Sequence, residues 1–325
     1  MIATLFIACI VLLALGVPVA FALGGGTLAA IIVGGLPLVA LPKYLFSGID
    51  VFALMAVPFF ILTAELMTGG ALSEVLLRFA SQFVGRFRGG LGHTNILTIT
   101  FFSGISGSAL ADAAGPGAIM IRMMRNDGYH PEYAAALTAA VSILGPIIPP
   151  SITMIIYALA YPEINLVGLM IAGVLPGIVI AAAMAAINHV ISVRRNYRGV
   201  VERLTLKDYL RNTWRALPAL VLPVLILGGI ASGAFTPTEA SVVAVFYALA
   251  AGRWIYGLLE WNMLPGILAR SALMTASVLI IVAMSAVFAW VLTVSRVPQQ
   301  LTEMIVAMGL SPIAFLLAVN VLLLV

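Results

Sequence analysis

Ser103, Ser106, Ser108 and Asp112 all fall in one run, Ser103-Gly104-Ile105-Ser106-Gly107-Ser108-Ala109-Leu110-Ala111-Asp112. A second run, Gly145-Pro146-Ile147-Ile148-Pro149-Pro150-Ser151, interrupts an otherwise apolar stretch further along. The serines of the first run offer hydroxyl oxygens, and its glycines free backbone carbonyls. The second run adds unwound carbonyls from a neighbouring helix. Together they can form a small cage of hard oxygen ligands of the kind that suits an alkali cation, which the carbonyl-rich ends of half-helices also favour. The other reading of the same residues is close helix packing at small side chains and simple proline kinks. Asp112 lies just past the first run, in the first turn of a returning helix. There an ionised carboxylate either caps the backbone of the turn or binds a coupling ion or proton.

Both runs are set in segments apolar enough to enter a membrane. Non-helical backbone at membrane depth survives only where protein buries it or where it lines a polar cavity, because an unpaired amide or carbonyl in hydrocarbon costs several kcal/mol. Such breaks mark transport sites. Of the 325 residues 63% are hydrophobic and 9% charged, against about a quarter charged in soluble domains. Mean hydropathy is +1.17. The apolar runs are long enough for helices across a core of roughly 30 Å and lack the alternation of a membrane barrel, so the chain reads as an all-α polytopic membrane protein.

The formal charge of +4 comes from short basic clusters between apolar runs, not from one basic face, which argues for topology and against nucleic acid. A lone cysteine, Cys9, excludes an intrachain disulfide and a cysteine metal cage, and is expected to pack as a small apolar residue. Met1 to Leu23 lacks the basic start of a signal peptide and reads as the first membrane helix. The further spans are expected at 24–42, 51–72, a half-span pair at 93–105 and 109–124, then 132–160, 165–192, 216–234, 237–257, 271–294 and from 311 onward.

Arg78, Arg86 and Arg88 precede the half-span pair and Arg122 and Arg125 follow it, so both of its ends belong in the cytoplasm. From His93 to Ile105 a helix reaches roughly 20 Å, the middle of the bilayer. The pair is therefore expected to be a re-entrant hairpin with Ser106-Gly107-Ser108 at its tip. The following spans run out to Tyr161-Pro162-Glu163 and return to the basic cluster Arg194-Arg195-Asn196-Tyr197-Arg198. Arg194 to Arg215 reads as a surface amphipathic helix joining two halves, or as a solvated linker. Ser295 to Gln300 falls outside, and the segment from Ser311 re-enters from that face, so the second half is expected to mirror the first, stopping at Val325 before a second break.

Glu65 and Glu239 lie within or beside apolar runs, where a charge calls for a partner or water. Glu65 can instead serve packing between scaffold helices. Glu239, in Thr236-Pro237-Thr238-Glu239-Ala240, stands at a helix start, where capping, interfacial placement and substrate contact all remain open. His93, His130 and His189 have no ligand spacing. Ser108 with Asp112 suggests a hydrolase only superficially, since no histidine or lysine stands at an activating spacing, and no Walker motif supplies ATP. Energy must come from an ion gradient or from another protein.

Several separate motifs resemble the large membrane subunit of tripartite ATP-independent periplasmic (TRAP) transporters: Val57-Pro58-Phe59-Phe60 followed by Glu65, Gly89-Gly90-Leu91-Gly92, Ser106-Gly107-Ser108-Ala109 with Ala111-Asp112-Ala113, Gly145 to Ser151, and Phe235 to Ala240. The resemblance implies an elevator-type secondary transporter in the bacterial or archaeal cytoplasmic membrane, with inverted repeats and re-entrant hairpins, the second repeat being incomplete here. It implies import of an organic acid delivered by a periplasmic binding protein, driven by sodium, with a small membrane subunit as a separate polypeptide. Sodium is the coupling ion and no cofactor or enzymatic activity is implied. By that analogy Ser103, Ser106, Ser108, Gly145, Pro149, Pro150 and Ser151 hold sodium, Gly107, Asp112 and Thr153 contact substrate or support the site, and Glu65 and Glu239 belong to an interface or scaffold. The implied organisation is scaffold helices over 1–92, the first transport hairpin and broken helix over 93–192, a cytoplasmic connector over 193–215, second-half scaffold helices and a connector over 216–270, and the start of a second transport repeat over 271–325. A non-transporting assembly subunit or inactive fragment is the alternative.

Overall fold

The computed structural model describes every residue except 69–71, 162, 200–204, 258 and 325. The end of the 51–72 span, Pro162 of the outer turn, the middle of the 193–215 connector and Val325 thus lie outside the described residues. Among the described residues the chain is helical, with no strand. In order the helices are α1 (Ile2–Ala14), α2 (Val19–Val33), α3 (Ala40–Ile49), α4 (Ala56–Thr68), α5 (Leu72–Val84), α6 (Gly90–Ser106), α7 (Ala109–Asp112), α8 (Ala118–Asn126), α9 (Pro131–Ser142), α10 (Ile152–Ala160), α11 (Leu166–Arg194), α12 (Leu206–Ala231), α13 (Pro237–Ala250), α14 (Leu264–Val294), α15 (Val297–Ala307) and α16 (Pro312–Leu324). By length and apolar composition α11, α12 and α14 each suffice to cross a membrane. The protein is a helical membrane protein.

The chain divides into two compact units, residues 1–51 with 276–325, and residues 52–275. In the first, the expected single span over 2–23 is two helices. α1 stops at Ala14 because Gly16 takes φ +80° and Pro18 has no amide to continue the ladder. α2 then folds back on α1, close enough that a methyl group on Gly25 would lie 2.8 Å from the Leu12 side chain. Gly26 rests against Cys9, whose thiol is buried and donates to the Ala22 carbonyl at 3.5 Å. Leu5, Ala30, Ile31, Val287 and Val291 form the core of this unit. The segment between the last two expected spans is mostly helix: α15 begins at Val297, with Pro298 in its first turn, where a missing amide costs nothing.

The second unit holds every residue singled out for chemistry. α5 buries Leu72, Leu76, Phe79 and Ala80 at helical spacing and leaves Glu74 and Arg78 exposed, so it lies amphipathically against α6 and α12. Tyr209 of α12 donates to the Gln82 carbonyl at 2.8 Å, and the Gln82 amide donates to Thr213 at 3.2 Å. α12 begins at Leu206 with a capping box in which the Thr205 side chain accepts from the Asp208 amide, so residues 206–215 belong to this long helix. No separate surface helix runs through them. The hairpin core is Leu91, Ile96, Ile99, Met120, Met124, Leu137, Val141 and Leu144, gathered from α6, α8, α9 and the segment just after α9. At the end of the hairpin away from the tip, Tyr129 stacks on Tyr197 at 4.0 Å, and the Tyr197 hydroxyl accepts from the His130 amide at 3.2 Å.

Candidate functional site

α6 ends at Ser106 because Gly107 adopts φ +59° and returns its amide to the Ser103 carbonyl at 3.1 Å. Ser108 is extended, and its hydroxyl caps the return by accepting from the Ala111 amide at 3.4 Å. The returning arm makes one α-turn over α7, then a π-turn across Ala113–Gly117 that contains Pro116, and continues as α8. A proline amide cannot close the i→i−4 bond, and a wider turn absorbs the gap.

Asp112 is fully buried between the arms. One carboxylate oxygen accepts from the Ser103 hydroxyl at 2.6 Å and the other accepts from the Ser106 hydroxyl. Of the two roles open to Asp112, backbone capping of the tip is not what its oxygens do: they tie the outgoing arm to the returning arm through serine hydroxyls. The two serine hydroxyls and the one carboxyl group thus pin the hairpin end.

The second break seats on that end. α9 stops at Ser142 and α10 starts at Ile152, with Pro149 and Pro150 joined by a cis peptide. Ser151 caps α10 by accepting from the Met154 amide at 3.2 Å and donates to the Pro146 carbonyl at 2.7 Å. The Pro150 carbonyl oxygen abuts Gly107, and the Pro149 oxygen lies 3.7 Å from where a side chain on Gly104 would begin. A methyl group on Gly145 would lie 2.8 Å from the Asp112 carboxylate and 2.7 Å from the Ala109 nitrogen. Gly107 and Gly145 are therefore what lets the two breaks touch.

Ser103, Ser106, Asp112, Gly107, Gly145, Pro149 and Pro150 thus converge. The hydroxyls of Ser108 and Ser151 also serve as caps, each keeping one lone pair after accepting an amide. Thr153 is exposed, in the first turn of α10. Glu65 finds a partner in Arg270, whose Nε donates to it at 2.9 Å. Glu239 completes a capping box with Thr236, accepting from its amide at 2.8 Å and its hydroxyl at 2.9 Å, so capping is the role the geometry gives it.

Sequence reasoning missed several contacts. Arg270 belongs to none of the motifs, and an arginine in an apolar run was the available signal. His93 and His189, distant in sequence, lie with ring centroids 5.9 Å apart. Asn95 donates to Thr138 at 2.8 Å inside the hairpin core, and the threonines flanking Asn95 at helical spacing were the only hint of that buried polar stripe.

Residues 6–325 match the family model described as tripartite ATP-independent periplasmic transporter, DctM component. The chain belongs to this family. It is 38% identical over 316 residues to the sialic acid TRAP transporter large permease protein SiaM of Vibrio cholerae, covering 96% of this chain and 73% of that protein. It is 37% identical over 281 residues to the C4-dicarboxylate TRAP transporter large permease protein DctM of Pseudomonas aeruginosa, covering 86% and 65%. To the 2,3-diketo-L-gulonate TRAP transporter large permease protein YiaN of Escherichia coli it is 34% identical over 303 residues, covering 92% and 70%. Membership of the DctM family makes the chain a transporter permease subunit and not an enzyme. This closes the hydrolase reading of Ser108, whose hydroxyl serves as a helix cap. The family match spans both breaks and the Glu65 and Glu239 motifs.

Proposed function

We propose that this chain is the large permease subunit of a sodium-coupled, binding-protein-dependent importer of a small organic acid in the cytoplasmic (inner) membrane, working with a small membrane subunit and a periplasmic binding protein. The relatives named above handle a sialic acid, C4-dicarboxylates and a diketo sugar acid, which share at least one carboxylate. The observation that carries the ion-coupling reading is the convergence of the hairpin tip on the second break around Asp112. The Ser103 and Ser106 oxygens keep lone pairs after donating to Asp112, the Pro149 and Pro150 carbonyls face the tip glycines, and the carboxylate supplies the compensating charge for a cation held there.

In this reading Ser103, Ser106 and the carbonyls of Ser108, Gly145, Pro149 and Pro150 furnish hard oxygen ligands, Gly107 and Asp112 shape and support them, and Thr153 has no part. Each sodium ion is driven inward by about 2.3 kcal/mol per 100 mV of membrane potential, and each carboxylate on the substrate is opposed by the same amount, so the potential drives accumulation only where sodium ions outnumber the substrate's negative charges. An elevator movement of the hairpin and its partner break past a scaffold gives the ion and substrate alternating access.

The test is uptake of radiolabelled acid into proteoliposomes holding the full-length permease, its small subunit and a loaded binding protein, with and without an inward sodium gradient. Sodium-dependent accumulation that is lost in Ser106→Ala or Pro150→Ala, with both variants folded, supports the reading. Uptake that ignores sodium refutes the coupling, and no uptake under any gradient favours a non-transporting assembly role.

A further inference from the structure

Away from the hairpin tip, a cleft of about 490 Å³ opens between α5, α12 and the turn that follows α13. Arg78, Arg211 and Arg215 line it with Glu74 as the single acidic group, while Val75, Trp214 and Ile255 supply apolar wall. Arg78 lies 3.9 Å from Glu74, and Arg211 lies 3.3 Å from Asp208. Both arginines remain more than half exposed, at 65% and 62%, and ion pairs of that kind contribute roughly 0–1 kcal/mol. An incoming phosphate, with several acceptors in one group, competes with them readily because guanidinium forks bind it bidentately. The cleft walls are themselves joined, since the Tyr256 hydroxyl donates to the Arg215 carbonyl at 3.0 Å.

The position of the cleft decides which phosphate it meets. The loop-charge rule puts the ends of α5, α12 and α13 that carry these arginines on the cytoplasmic side. Trp214, Trp254 and Trp261 are 69%, 76% and 64% exposed there, as expected of aromatic side chains that sit at headgroup level. Exposed Ile255 at 56% beside exposed arginines makes a surface with an apolar half and a cationic half. A soluble anion would use only the second.

We propose that this cleft binds the phosphate of an anionic phospholipid from the cytoplasmic leaflet, with the arginines on the headgroup and Trp214 and Ile255 against the glycerol and upper acyl chain. The inference rests on the membrane topology and does not depend on sodium coupling.

The test reconstitutes the full-length chain into nanodiscs of phosphatidylcholine doped with phosphatidylglycerol and reads retained lipid by native mass spectrometry. Phosphatidylglycerol is expected to be retained selectively, and its apparent affinity to fall about fivefold for each of Arg78→Gln, Arg211→Gln and Arg215→Gln, the factor that follows from about 1 kcal/mol per basic residue near an anionic surface. Arg125→Gln, on the same leaflet but outside the cleft, should leave retention unchanged. If any of these variants does not stay monodisperse, Arg211→Gln and Arg211→Lys carry the test, with Arg211→Lys retaining more lipid than Arg211→Gln. Equal retention of the two lipids, or retention indifferent to the arginines, overturns the proposal. Inorganic phosphate that binds in a phosphatidylcholine nanodisc as tightly as phosphatidylglycerol does would also overturn it, by assigning the cleft to a soluble anion.

Discussion

Substituting alanine at Gly107 tests whether the hairpin tip and the second break are built against each other. Gly107 has φ +59° and a side chain there would run into the Pro150 carbonyl, with the Ile152 nitrogen 3.4 Å away. Two costs add. The left-handed backbone costs alanine about 1–2 kcal/mol, and overpacking against fixed backbone costs about 1–3 kcal/mol more. Gly128 separates them, because it has φ +87° but nothing within 4 Å of the place a methyl group would occupy. Gly128→Ala should therefore carry only the backbone term. Heating purified protein at one scan rate should lower the apparent Tm by about 2–4 °C per kcal/mol, with Gly107→Ala shifted clearly further than Gly128→Ala. If the strain is relieved by parting the tip from the break, half-saturation by sodium in the uptake assay should rise by about 5- to 150-fold, the equivalent of the 1–3 kcal/mol steric cost. Gly128→Ala should keep the normal sodium dependence. Equal Tm shifts and equal sodium dependence in the two variants would refute the claim that the tip rests on Pro150.

Asp112→Ala should be more damaging than Asp112→Asn, since it removes the acceptor of the buried Ser103 hydroxyl and leaves Ser106 only its 3.5 Å contact with the Ser108 carbonyl, at about 1–3 kcal/mol for an unsatisfied hydroxyl; thermal stability of the two variants measures the difference, and equal stability would remove Asp112 from the triad. Arg270→Gln should cost more than Glu65→Gln, because Glu65 is only 13% exposed and Arg270 is 57% exposed, so losing the arginine strands a largely buried charge while losing the glutamate leaves a cation near solvent. A difference of about 1–2 kcal/mol is expected, and the reverse order in urea or thermal unfolding would overturn it. Thr236→Ala should destabilise by about 1 kcal/mol through loss of the α13 cap, without changing substrate or sodium half-saturation; a changed half-saturation would place Glu239 in the transport site instead.

The hairpin and the second break were legible because their signals are local. Gly107 in a serine run and Pro149-Pro150 in an apolar run each dictate backbone geometry over a few residues, and α6 and the 143–151 break fall where those residues say. The split between α1 and α2 was hidden, because hydropathy averages across Gly16-Val17-Pro18 as if the apolar run were one helix. α12 began earlier than expected for the opposite reason: its first turns are charged, and only the Thr205 and Asp208 capping box marks them as the start of a long helix. The partners of Asp112 were not read even though Ser103 and Ser106 lie on the same short hairpin, because nothing in the run says whether the carboxylate meets hydroxyls or backbone amides. Arg270 opposite Glu65 and His189 beside His93 could not be read, since nothing local records which distant helices meet.

What holds the two breaks in register is α11, and it does so at both of its ends. Near its C-terminal end Asn188 donates to the Gly89 carbonyl at 3.2 Å and accepts from the Tyr133 hydroxyl at 2.9 Å, joining the start of α6 to α9. Gly89 and Gly92 are small because Ser192 and Asn188 occupy the space their side chains would need. Two turns or more toward the other end, Gly173 receives the Ile147 carbonyl and Met154, and Gly177 receives Ile148, whose side chain would be 2.7 Å from a methyl group there. One helix thus fixes the base of the hairpin and the middle of the break. Because a helix is stiff along its axis, the height of Gly107 opposite Pro150 is set by contacts made far from either. The glycines of α6 and α11 and those of the tip are parts of one arrangement, which brings the backbone of the second break against the hairpin end that holds Asp112.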